Sequence, residues 1–204
     1  LCYEAFHETF DDLSAVLASL HARLVVDRVL VRTKGHLRTQ SALSRIGELS
    51  HRHHIRSTLN DERLFRSRLD AHTQALPLLG ALFDVLIEIF ETLLVEQGLL
   101  EGASPQRRAP PAAYAQGYDG HHHAFQAALW SARDSLGRLL GLALVRLSPR
   151  HLTCPALLEA LLDADQSENA GRWREVLTRC FSRRGVSVSR PRRNAAPPPQ
   201  RMEP

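Results

Sequence analysis

The chain has 204 residues, 44% of them hydrophobic and 24% charged, with a net charge of +4. That balance excludes a fully disordered chain and a fibrous repeat, and leaves room for a sizeable core. The basic excess lies in the last stretch, where Arg183, Arg184, Arg190, Arg192, Arg193 and Arg201 face only Glu203, so the overall charge does not define a basic binding face.

From Tyr3 to Thr33 there is no Gly and no Pro. Phe6, Phe10, Leu13, Leu17, Leu20 and Leu24 recur at three- and four-residue steps, which predicts one helix stopped by Gly35. A weaker second helix is expected from His36 to Thr58. Asn60 suits an N-cap for a third, running from Asp61 to about Ala75. Pro77 fits the first turn of the next helix.

Leu78 to Gln97 carries the strongest helical signal. Asp84, Glu88 and Glu91 fall on one stripe, and Leu79, Leu82, Phe83, Leu86, Ile87, Ile89, Phe90, Leu93 and Leu94 cover the rest of the circumference. The expectation is a central core helix whose acidic edge faces solvent or the basic block described below. Its four acids, Asp84, Glu88, Glu91 and Glu96, argue against a membrane span.

Gly102 to Gly120, with Pro105, Pro110 and Pro111, reads as a flexible loop. A helix from His122 to Leu147 follows, ended by Pro149. A short helix from Pro155 to Ala164 and a last one running to Phe181 complete the domain. Ser167 or Asn169 is a candidate cap for the last, with Trp173, Val176, Leu177 and Cys180 inward. Strand patterns are scarce. The predicted class is all-α, an irregular helical bundle or a degenerate armadillo/HEAT-like array. Residues 1–182 form the expected domain, and residues 183–204 a disordered, basic, Pro-rich tail.

Chemistry-bearing motifs are sparse. His51, His53 and His54, and His121, His122 and His123, lack the His-x-x-x-His spacing of a helical zinc site, so no metal is expected. His151 beside Cys154 is the one thiol–imidazole candidate, and a small boundary cysteine is the competing reading. No nucleophile elbow, phosphate-binding glycine loop or dinucleotide fingerprint occurs. No cofactor and no enzymatic activity are expected.

One internal block is basic. Between Arg23 and Arg68 the basic residues outnumber the acidic ones by 11 to 4, and Arg45, Arg52, Arg56, Arg63 and Arg66 are its candidate anion-binding residues. Cys2, Cys154 and Cys180 make no disulfide framework. Glu4, Glu8, Asp11 and Asp12 interrupt any signal-peptide pattern, so a cytoplasmic location is expected. A start at Leu1 suggests a processed chain or a fragment.

In architecture alone, Leu-rich helices with a Pro-rich insertion resemble the degenerate helical-repeat regions of large scaffold proteins, including those of vesicle trafficking. The lack of a catalytic arrangement and the mostly apolar helices, suited to stacking against neighbours, lead to the expectation of a non-enzymatic module binding other proteins or the rest of a longer chain. The alternative is an anion-binding module using residues 45–68, with nucleic acid or an acidic membrane surface as partner.

Overall fold

The computed structural model describes residues 3–39, 41–44, 58–61, 71–101 and 108–188. Seven α-helices are found there, and no strand among the described residues. They are α1 (Tyr3–Ser19), α2 (Arg23–Thr33), α3 (Ala71–Glu96), α4 (Pro111–Tyr118), α5 (His122–Arg146), α6 (Cys154–Asn169) and α7 (Arg174–Arg183). Helix α3 is the axis. It packs against α1, α5 and α7, while α6 packs on α5 and α7, and α2 lies on α5.

The single helix expected over Tyr3–Thr33 is two. The chain turns at Leu20–Ala22, where His21 N and Ala22 N donate to Ala18 O and Ser19 O. Leu20 stays in the core, and Arg133 Nη1 donates to its carbonyl at 2.9 Å. Local periodicity does not reveal this break, because the tertiary contact from α5 satisfies the carbonyl that the turn frees. Helix α2 ends as expected near Gly35. Lys34 and Gly35 both adopt left-handed backbone, at φ 52° and 82°. A Cβ on Gly35 would stand 2.4 Å from the Phe125 ring, so glycine is needed for close approach as well as conformation.

The helix expected from His36 does not form over residues 36–39 and 41–44, which make turns and a short 3-10 segment at Ala42–Ser44. Residues 45–57 of that expected helix lie outside the described residues. Pro77 does not start a helix but sits inside α3. Asn60, expected as an N-cap, donates from Nδ2 to Leu76 O at 3.1 Å beside that proline.

Part of the stretch expected as a loop is α4. Pro110 and Pro111 open it, and Tyr114 and Tyr118 are buried against the core. Helix α6 starts close to the expected position, capped by Thr153, whose Oγ1 accepts from Ala156 N at 3.2 Å, but it runs past Ala164 to Asn169. Ser167 and Asn169 therefore belong to α6. The turn into α7 is held by buried Asp165, whose Oδ2 accepts from Trp173 N at 3.0 Å. Trp173, Val176, Leu177 and Cys180 point inward as expected. The expected tail boundary moves outward: Arg184 and Val186 are buried, and the described chain continues to Val188.

Candidate functional site

Arg45, Arg52, Arg56, Arg63 and Arg66, the candidate anion-binding residues, all lie outside the described residues, as do His51, His53 and His54. What the structure brings together is a different set of arginines. The acidic stripe of α3 is not a wet edge. Asp84 and Glu88 are each only 6% exposed.

Arginines from two distant segments converge on that stripe. Arg38, just beyond α2, donates from Nη1 to Asp84 Oδ1 at 2.8 Å and from Nε to Glu91 Oε1 at 3.2 Å. From α7, Arg179 Nη2 donates to Glu88 Oε2 at 2.7 Å and Arg183 Nη1 to Glu88 Oε1 at 2.5 Å. Arg184 Nη2 donates to Asp84 Oδ2 at 2.8 Å, and its Nη1 donates to Asn60 Oδ1 at 2.9 Å. Tyr114 of α4 donates its hydroxyl to Glu91 Oε1 at 2.6 Å. Glu91 Oε2 accepts from Arg38 Nη2 at 3.4 Å. All six carboxylate oxygens thus accept a proton donor.

Burial alone would lower the Arg38 guanidinium, but Glu91 and Asp84 outweigh it and raise it above its ordinary value. The Tyr114 phenol is raised by burial and then by Glu91. Asp84, Glu88 and Glu91 each accept from fixed arginines, and Glu91 also from Tyr114. The cluster ties α7 and the segment after α2 to the central helix.

A second polar cluster joins α2, α4 and α5. His122 Nε2 lies 3.0 Å from Asp27 Oδ1, and Tyr118 Oη lies 2.5 Å from His122 Nδ1. The carboxylate can only accept, so in the neutral imidazole the ring proton sits on Nε2 and Nδ1 accepts from the tyrosine hydroxyl. Burial and then Asp27 push the Tyr118 phenol up, which keeps it protonated as that donor. Gln126 also donates to Asp27 Oδ1, at 2.6 Å. With both ring nitrogens engaged, His122 joins α2, α4 and α5. The cluster borders a shallow cleft of about 370 Å³ lined in part by Lys34, Tyr118, Asp119 and His122.

The thiol–imidazole candidate is not activated. Burial pushes the Cys154 thiol up to about 11, the opposite of what a nucleophilic cysteine needs. No group of His, Cys, Asp and Glu that could hold a metal ion occurs among the described residues.

The outer end of α5 carries a different feature. Val145 is 86% exposed and Leu144 is also exposed, next to Gly137 and Gly141, whose missing Cβ atoms would meet nothing within 4 Å. No helix among the described residues is long and apolar enough to cross a membrane.

Compared with protein-family models, with curated proteins and with solved structures, the chain matches none of them.

Sequence reasoning missed Arg38 and Tyr114, the two residues that saturate Glu91. Neither stands in a motif, and Tyr114 lies in a stretch whose prolines and alanines signal a loop. The acidic stripe itself was visible, and its spacing could have suggested a search for unpaired arginines elsewhere in the chain.

Proposed function

We propose that this chain is a non-enzymatic helical module, an irregular bundle belonging to a larger scaffold, that binds other proteins through the outer end of α5. The observation that carries this reading is Val145, almost fully exposed and flanked by Leu144 and the bare backbone of Gly141. Two apolar side chains beside an open glycine surface offer a partner helix close approach, the arrangement that apolar interface cores use. The commitment of the α3 carboxylates to arginines supports a structural rather than a catalytic use of the polar interior. The enclosure of α3 by α1, α5 and α7 supports a bundle rather than an array.

The test is the pair of variants Leu144→Asp and Val145→Asp. Both sites are exposed, so melting should change little. The proteins cross-linked to the wild-type chain in its native extract should be depleted from both variants. An unchanged cross-linked set would refute this surface. Salt-sensitive binding to RNA or DNA, with Arg45, Arg52, Arg56, Arg63 and Arg66 required, would replace the reading by the anion-binding alternative.

A further inference from the structure

Helix α2 buries Val26, Val29 and Leu30 and turns a mixed face to solvent. On that face Leu24 is 77% and Val31 53% exposed. The two are seven residues apart, so they stand on one line about 10 Å long along the helix. Arg28 lies between them, Arg32 beside them, and Lys34 just past the C-terminal end, all exposed. Arg28 and Arg32 have no ion pair with any described residue.

The acids near this face are mostly engaged elsewhere. Asp27 holds His122 and Gln126 and lies 3.7 Å from Arg23. Asp134 of α5 is paired with Arg133 at 2.7 Å. Asp119, which lines the cleft with Lys34, offsets part of the charge at one end. Lys34 itself stands over the Tyr118 ring, 5.0 Å from its centroid, which holds an ammonium at the helix end.

We propose that the exposed face of α2 docks on an anionic lipid surface, with Leu24 and Val31 entering the headgroup region and Arg28, Arg32 and Lys34 meeting lipid phosphates and carboxylates. Charge complementarity selects an acidic partner. The two protruding aliphatic side chains select lipid among acidic partners, because a helix lying in the interface plane inserts apolar side chains between flanking cations. A nucleic-acid backbone gives no use to Leu24 and Val31, and α2 carries no aromatic residue for base stacking. An acidic peptide is favoured less, since the face is the convex side of one helix and not a groove.

This surface is distinct from the outer end of α5. Helix α2 and the turn before it meet α5 at His122, Gln126 and Arg133. Val145 lies a further three turns along, about 18 Å away. The inference therefore does not rest on the protein-binding reading.

The experiment is co-sedimentation of the full chain with vesicles of phosphatidylcholine alone or with phosphatidylserine, at low and physiological salt. Binding to the phosphatidylserine vesicles only, weakened by salt, is expected. Arg28→Glu with Arg32→Glu should lower the partition coefficient roughly tenfold or more, since each cation near an anionic surface contributes separately. Leu24→Ser with Val31→Ser should lower it several-fold at physiological salt, where charge attraction is screened. All variants keep the other basic segments, so a difference isolates α2, and unchanged melting excludes unfolding as its cause. Equal partitioning of wild type and variants would overturn the proposal. So would equal binding to phosphatidylcholine alone. Tighter, α2-dependent binding to polyglutamate or RNA than to vesicles would overturn it in favour of that partner.

Discussion

Arg184 reaches Asp84 by crossing bare backbone at Gly80. Its Cζ lies 2.9 Å from the point a Cβ on Gly80 would occupy, and Asn60 Oδ1 lies 2.8 Å from the same point. The guanidinium is buried and held at both ends, by Asp84 and by Asn60, so it has little freedom to give way.

Gly80→Ala should therefore destabilise the protein, although alanine is the better helix former. The helix gains about 1 kcal/mol from the change, and overpacking a tight site costs about 1–3 kcal/mol, with the loss of the Arg184 contacts added. Gly141→Ala, where a Cβ meets nothing, should stabilise by up to about 1 kcal/mol. Chemical denaturation of the two variants gives opposite signs if the crossing is real.

Leu86→Ala and Glu88→Gln should both be costly. Leu86 is fully buried in the centre of α3, so its truncation costs about 2–5 kcal/mol. A Glu88 facing solvent would make the second change nearly neutral. Instead Glu88 is the buried partner of Arg179 and Arg183. Those arginines keep 25% and 36% of their side-chain exposure, so water takes up part of the lost interaction. Breaking the pair should cost about 2–3 kcal/mol, below the 3–5 typical of a fully buried one. Thermal unfolding reads both.

The contrast shows what periodicity reveals. Helix α3 was legible because its apolar residues surround the axis, and the inward set of α7 followed from the same period. The identical rule placed the Asp84–Glu88–Glu91 stripe on one face but could not say what covers it. The cover comes from Arg38 and from Arg179, Arg183 and Arg184, which are 46 to 100 residues distant from Asp84 and Glu88. The break at Leu20 was hidden for the same reason, since its carbonyl finds Arg133 113 residues away. Local composition misled at Pro110 and Pro111, which open α4 rather than mark a loop.

Stability should fall above pH 9 as buried acids that prefer their neutral forms are titrated. Burial raises the Cys154 thiol from 9.0 to about 11. The folded state thus favours the thiol, and that contribution is complete below pH 9 and is lost as pH climbs to about 11. It amounts to roughly 2–3 kcal/mol. Tyr114, raised by burial and Glu91, adds a further loss that begins above its ordinary value of 10.0. Urea midpoints measured through this range should fall. Cys154→Ala should lessen the fall between pH 9 and 11 and leave the share of Cys180, whose thiol burial also pushes up, and a profile identical to wild type would refute the assignment.

Helix α4 should be dislodged by a single methyl group. A Cβ on Gly117 would sit 1.7 Å from the backbone oxygen of Leu99, and a main-chain atom cannot swing aside as a side chain can. Gly117→Ala must lift α4 from the segment after α3. Tyr114 would then lose its hydrogen bond to Glu91, and Tyr118 its contacts with His122 and the Phe125 ring. The expected cost is about 3 kcal/mol or more, the range of a core overpacked without relief. Hydrogen exchange should show faster opening over Pro111–Tyr118 in the variant while the amides of α3 near Leu86 keep their protection. Uniform loss of protection across α3 would mean that α4 is part of the central cooperative unit. Unchanged exchange would mean that α4 does not rest on Leu99.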